Sequence, residues 1–329
     1  MESLYTLQRG SSGSTSSNLT PVQLRALVLG YLYHECYSKT AKAFSKDSTV
    51  RHLDADGDEI QADNAASTGY ELSEEDWKQL ELRQKIRTYI LSGQVDEATE
   101  KLNEYFPSVL SGPLSELSTP MPSYKPEIMD GIEYVSSTSV DPAHLTLNLR
   151  ILSFIEACRT IPLAYPPPAP DDTEATPTPK SENLSIDDGS PASLEKQLAL
   201  LSKAQKLRGL ANMLPKPGDR ELYIKELNNV SGLLAYKVPE TSSISKYLSQ
   251  KRRESVADQI NRAILDRSGL PSASLLELLT RYTSTTWSFA HQLGVKPKPG
   301  ALLPPTEFTQ KEQEVVPPLN LQHFLDSRT

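Results

Sequence analysis

Three short runs hold the side chains that could do chemistry. His34-Glu35-Cys36 sets an imidazole, a carboxylate and a thiol side by side. A structural zinc site takes about four ligands at fixed spacing, and the three here lie in one run. The run therefore reads as a polar turn between helices, with Cys36 small and semi-buried. The other histidines, His52, His144, His291 and His323, are scattered singly, and His144 reads as a surface or packing residue. DADGDEIQAD at 54–63 hints at a calcium loop. Placing Gly57 at loop position six puts His52 at position one, where a carboxylate is needed. Starting from Asp54 puts Glu59 at the glycine position and Ala65 at the final glutamate position. Neither register coordinates calcium, and the segment reads as a solvated linker. Lys251-Arg252-Arg253 is a basic run inside a helical pattern, shorter than most localisation or nucleic-acid patches. It reads as a solvated helix face or as a contact for an acidic partner. No phosphate-binding glycine loop, nucleophile elbow, zinc-protease helix or dinucleotide fingerprint occurs. The expectation is a chain with no catalytic residue, no metal and no cofactor.

PPPAP at 166–170 could dock an SH3 or WW domain. Thr119, Thr176, Thr178 and Ser190 each precede proline and could be phosphorylated. Loop composition explains both features equally well.

The composition agrees with a protein-binding role. The 329 residues carry 34 Lys+Arg against 42 Asp+Glu, a net charge of −8, and a mean hydropathy of −0.43. There is no overall basic footprint for nucleic acid. No stretch has the length of a membrane span, and the N-terminal run has no apolar signal core. Two cysteines, Cys36 and Cys158, cannot build a disulfide framework and read as reduced thiols. Protein partners, no nucleic acid, no membrane, and a cytoplasmic and/or nuclear location are expected.

The elements that would position these residues are helical throughout. Residues 1–19 are Ser/Gly-rich and read as disordered. Thr20, Pro21 and Gln23 form a helix start. Leu24, Leu27, Val28, Tyr31 and Leu32 follow at helical spacing, then Tyr37, Ala41 and Phe44 mark a second short helix. A hairpin over 20–49 is too small to bury its own apolar face, so this face wants a partner. Residues 50–72 read as an acidic linker. A second hairpin spans 73–110, with Ser92-Gly93 between its helices. Residues 111–140 are loop. Asp141-Pro142 opens a helix apolar on both faces, which predicts burial all round. A Pro-rich insertion occupies 161–190. Further helices are expected from Ser190, from Asp219, over Ser243–Arg267 and from Pro271 to Leu293. The last has Leu275, Leu279, Tyr282 and Ala290 inward. The tail over 296–329 is Pro-rich. The fold class is all-α.

Three segments then carry a family resemblance. LRALVLGYLYHECYSKTAKAF at 24–44 resembles a LisH motif. Its hydrophobic signature falls on Leu24, Leu27, Val28, Tyr31, Leu32, Tyr37, Ala41 and Phe44. Where the motif carries glycine before the second helix's aromatic, this chain has Cys36, and a left-handed turn is more strained there. LRQKIRTYILSGQVDEATEKLNEYFPSVL at 82–110 resembles a CTLH motif through Ile86, Arg87, Ile90, Gly93, Val95, Ala98 and Leu102. LNLRILSFIEACR at 147–159 and the run at 233–269 are similar to the CRA domain of the Ran-binding-protein-M-like family, which would extend over 141–295. Fungal members are the nearest in pattern, and no SPRY domain precedes the first hairpin in this sequence. The resemblance implies a scaffold subunit of a GID/CTLH-type E3 ubiquitin ligase. It implies a homo- or hetero-dimer through the LisH residues, and contacts of the CTLH residues with other subunits, including RING-bearing ones. The rival reading is a small-GTPase-binding or cytoskeletal adaptor outside any ligase.

Overall fold

The computed structural model describes residues 21–48, 72–111, 128–129, 132–133, 139–166 and 191–296. Expectations for 1–20, for the calcium-like run 54–63, for most of the loop and the insertion, for the proline-directed sites and for the tail lie outside them. The described chain is all-α, with ten helices. The one strand pairing among the described residues is a two-residue antiparallel ladder, Ile128–Met129 against Ile132–Glu133.

The helices fall into two compact units. One comprises 1–73 and 273–329, the other 74–272. The first contains α1 (Pro21–His34), α2 (Ser38–Asp47) and α10 (Leu275–Gln292), with α1 packed on both of the others. Residues 141–295, one block in the sequence reading, thus extend over both units.

The second unit contains α3 (Glu74–Leu91), α4 (Val95–Tyr105), α5 (Pro107–Ser111), α6 (Pro142–Cys158), α7 (Pro191–Asn212), α8 (Pro217–Ser231) and α9 (Gln250–Arg267). Three 3₁₀ turns link α8 to α9. The helix expected from Ser243 therefore begins at Gln250, after those turns. Asp141 caps α6 by accepting from the Ala143 amide at 2.9 Å, and Pro142 takes the first helical position. α6 is central because it is apolar around its whole circumference. Leu145, Leu149 and Leu152 pack with α3, α4 and α9, while Ile151, Phe154 and Ile155 pack with α7 and α8.

Four helices end the same way, in a residue with positive φ. At Gly93, φ is +83°, the Gly93 amide donates to Ile90 and the Gln94 amide to Tyr89. This paired pattern closes the last turn and needs a left-handed residue. Gly269 and Gly294 repeat it. In α1 the place belongs to Cys36, at φ +62°, with the Tyr37 amide donating to Leu32 at 3.0 Å. The hairpin keeps the turn and accepts the strain of a side chain in it, about 1–2 kcal/mol. Cys36→Gly removes that strain and a small buried thiol together, so it is expected to leave stability within about 1 kcal/mol of wild type. Cys36→Val puts a branched side chain at the same φ and is expected to be less stable than Cys36→Gly by about 2 kcal/mol or more. Urea unfolding of the two variants, followed by circular dichroism, checks the difference.

Candidate interaction surface

The expected dimer residues separate by exposure. Leu27, Leu32 and Ala41 are buried inside the first unit, Val28, Tyr31 and Phe44 are half-buried, and Leu24 and Tyr37 are exposed. The Tyr31 and Tyr37 rings lie 6.5 Å apart. Burial, then Glu35, Tyr37 and Glu277 of α10, push the Tyr31 phenol above its ordinary pKa. Ala26, Leu29 and Tyr33 are also buried, though they stand off the stripe read from spacing. The signal was present: residues 26–33 are apolar or glycine without interruption, so α1 has no polar face. Arg25 locks the hairpin, donating from Nε to Ser48 Oγ at 3.1 Å and from Nη2 to the Ser45 carbonyl at 3.1 Å. His34 Nδ1 lies 2.8 Å from the Gly30 carbonyl, a helix-turn contact rather than a ligand geometry.

Helix α10 departs from expectation in its phase. Leu279 and Tyr282, read as inward, are exposed, and no residue of α10 is fully buried. The outward stripe is Leu278, Tyr282, Phe289 and Leu293, with Tyr282 73% and Phe289 58% exposed. At 3.6 residues per turn these four fall within an arc of about 60°. The half-buried residues include Leu276, Thr280 and Trp287, on the opposite side. The helix carries apolar residues on more than one face, and spacing alone does not choose between them. The first unit thus presents an apolar stripe on α10, interrupted by Thr285 and Thr286, together with exposed Leu24 and Tyr37 on the hairpin. Stripes of this kind, edged by polar residues, mark interaction surfaces.

The second hairpin is different. Ile86, Ile90, Val95, Ala98 and Leu102 are all buried in one core with α6 and α9. A partner reaches none of them without opening that core. Arg87 lies beside Asp258 of α9, Nη1 to Oδ1 at 2.5 Å.

In the basic run Lys251 is exposed, as a solvated face requires, and the two arginines are not. Arg252 and Arg253 are 3% and 2% exposed, neither solvated nor available to a partner protein. Arg252 Nη2 lies 2.6 Å from Glu226 Oε1. Arg253 grips Glu156 with two parallel bonds, Nε to Oε1 at 2.9 Å and Nη2 to Oε2 at 2.6 Å. Its Nη1 donates to the Leu91 carbonyl at 3.0 Å, closing the end of α3. Arg159 reaches the same carboxylate from Nε at 2.9 Å and donates from Nη2 to the Leu248 carbonyl at 2.6 Å. Burial pushes the Glu156 carboxyl up, but the hydrogen bonds and charges of Arg253 and Arg159 outweigh it and hold its pKa below the ordinary value. Polar pairs repeat along α9. Arg83 donates to Asn261 at 2.9 Å, Asn148 to Gln259 at 2.8 Å, and Gln259 to the Ser139 carbonyl at 2.8 Å. Buried polar groups persist only when paired, and these pairs hold the second hairpin and α6 to α9.

Cys158 and His144 are both packed among neighbouring side chains. Burial pushes the Cys158 thiol up to about 12, against the nearby charges of Lys196 and Lys203, so it stays protonated at neutral pH. His144 Nε2 sits 3.3 Å from Asp219 Oδ2 and packs on the Tyr223 ring, 5.6 Å between centroids. Among the described residues no group of three or more His, Cys, Asp or Glu could hold a metal, and no helix is long and apolar enough to cross a membrane.

No curated protein matches the chain. A family model does. The CTLH/CRA domain found C-terminal to LisH motifs matches residues 79–289, from within α3 to within α10. Such domains are protein-interaction modules rather than catalytic ones. With that match covering more than half of the chain, this protein belongs to the CTLH/CRA family.

Proposed function

We propose that this chain is a non-catalytic assembly subunit of a GID/CTLH-type E3 ubiquitin ligase, working in the cytoplasm or nucleus. It pairs through the LisH-like unit, with itself or with a related subunit, and RING-bearing subunits supply the chemistry. Its mechanism is positioning: subunits held side by side place substrate and catalytic module at high effective concentration. The observation that carries the reading is the exposed stripe Leu278, Tyr282, Phe289 and Leu293 beside a hairpin that exposes Leu24 and Tyr37. Among the described residues of this unit nothing covers that surface.

Light scattering on the full chain tests the pairing. Wild type is expected at twice the chain mass, and Tyr282→Asp with Phe289→Asp at the chain mass. Both sites are exposed, so the circular dichroism of the variant should be unchanged. Leu27→Asp is a poorer choice, because Leu27 is buried and its loss would unfold the hairpin. Equal masses for the two proteins would sink the self-pairing. Affinity purification from cells tests the ligase. Recovery of RING-bearing subunits supports it, and recovery of a small GTPase or cytoskeletal proteins without them favours the adaptor reading.

A further inference from the structure

The exposed stripe of α10 is symmetric in its own spacing. Leu278, Tyr282, Phe289 and Leu293 are disposed evenly about the Thr285-Thr286 bond. Tyr282 stands as far before that bond as Phe289 stands after it, and Leu278 and Leu293 match in the same way. At 3.6 residues per turn, Tyr282 and Phe289 fall about 10° to either side of the stripe's midline, and Leu278 and Leu293 about 30° to either side. Turned end over end about Thr285-Thr286, the stripe lands on itself, apolar residue on apolar residue.

The two residues at the centre suit the middle of such a seam. Thr285 and Thr286 are exposed, and both hydroxyls are already bonded within the helix. Thr285 Oγ1 donates to the Arg281 carbonyl and Thr286 Oγ1 to the Tyr282 carbonyl, each at 2.8 Å. Neither hydroxyl needs a partner across an interface. Both side chains are smaller than the stripe residues to either side, which suits the point where two crossing helices come closest. Arg281, at the edge of the stripe, is ion-paired with Glu277 of its own helix.

We propose that α10 pairs antiparallel with α10 of a second copy of this chain, across a two-fold axis at Thr285-Thr286. The inference rests on the pairing proposed above, and it names the partner and the register. Leu278 meets Leu293 of the other copy and Tyr282 meets its Phe289. The two-fold repeats both contacts, so all four stripe residues gain an apolar partner along about 22 Å of helix. A related subunit would have to bring a matching stripe, whereas this chain supplies its own. A parallel pair would set Tyr282 against Tyr282 and align the two helix dipoles, while the antiparallel pair opposes them.

Disulfide trapping on the full chain tests the register. Cys36 and Cys158 are buried, so the unaltered chain serves as the background control. On mild oxidation, Leu278→Cys with Leu293→Cys is expected to form a covalent dimer at least tenfold faster than Leu278→Cys or Leu293→Cys alone. The two sites stand too far apart on one helix to join within a chain. Light scattering over a dilution series gives an independent readout. Tyr282→Lys with Phe289→Glu sets opposite charges against each other across an antiparallel seam. It should pair at least tenfold more tightly than Tyr282→Glu with Phe289→Glu. All four sites are exposed, so the circular dichroism of the variants should match wild type. Single variants that crosslink as fast as the double, or charged variants that pair equally weakly, would overturn the proposal. Wild type at twice the chain mass without the 278–293 crosslink would overturn it and leave the pairing to another surface. Wild type at the chain mass would overturn it together with self-pairing, and leave pairing with a related subunit standing.

Discussion

Glu156→Ala is expected to destabilise the second unit by about 3–5 kcal/mol, measured by urea unfolding. The reason is what the substitution leaves behind. Arg253 is 2% exposed and, without Glu156, would keep only carbonyl and amide oxygens as partners. An uncompensated buried guanidinium costs several kcal/mol even after relaxation. Removing the Glu156–Arg253 pair, as Glu156→Leu with Arg253→Met, leaves only Arg159 without its carboxylate, still bonded to the Leu248 carbonyl, and should therefore be less damaging than Glu156→Ala alone. The Leu91 carbonyl then keeps the Gln250 side-chain amide, which donates to it at 3.3 Å. A double variant as unstable as the single one would show that the carbonyl bonds of Arg253, rather than its charge pair, hold α3 to α9.

Acid titration gives a second readout of the same carboxylate. Its folded pKa is depressed. The stability it contributes is therefore complete above the unfolded value of about 4.3 and is lost as pH falls through the folded value. Glu156→Ala should flatten the acid limb of the stability profile. Glu240 acts in the same direction. Burial pushes its carboxyl up, but the Ile161 amide at 2.8 Å and the Thr160 hydroxyl at 2.7 Å hold it below its ordinary value. The acid limb should be flattened but not abolished.

Gly93→Ala is the second large effect, expected at roughly 2–4 kcal/mol. Part of the cost is the backbone, since φ is +83°. The rest comes from Arg253. A Cβ on Gly93 would stand 2.6 Å from Arg253 Nη2 and 3.1 Å from Glu156 Oε2. The end of an arginine usually swings aside cheaply, but this one is pinned by two bonds to Glu156 and one to Leu91. A double-mutant cycle separates the two parts. In an Arg253→Ala background, Gly93→Ala should cost only the backbone strain, about 1–2 kcal/mol. Full additivity would mean that the turn and the ion pair are independent.

This cluster marks where sequence reading stops. Gly93 reads correctly as a helix end, because a left-handed C-cap has a local signature. The second requirement on it comes from Arg253, 160 residues along the chain, and no local pattern reports that. Arg252 and Arg253 read as solvated because charge is costly to bury. They are buried because folding brings Glu226 and Glu156 against them, and a single sequence does not show which distant carboxylates will arrive. α10 makes the same point with apolar residues. Its helical character is local, but its phase depends on what it packs against.

The sequence by itself determined the all-α class, the capped starts such as Asp141-Pro142, the glycine-closed ends and the family. Each of these rests on contacts within a few residues, or on motifs that keep their spacing. The tertiary structure alone decided which expected interface residues are buried and which are open. It placed α10 with the first hairpin and buried the arginines of α9. These depend on pairs of residues far apart in the chain, and solvent exposure is a property of the packed molecule rather than of any segment.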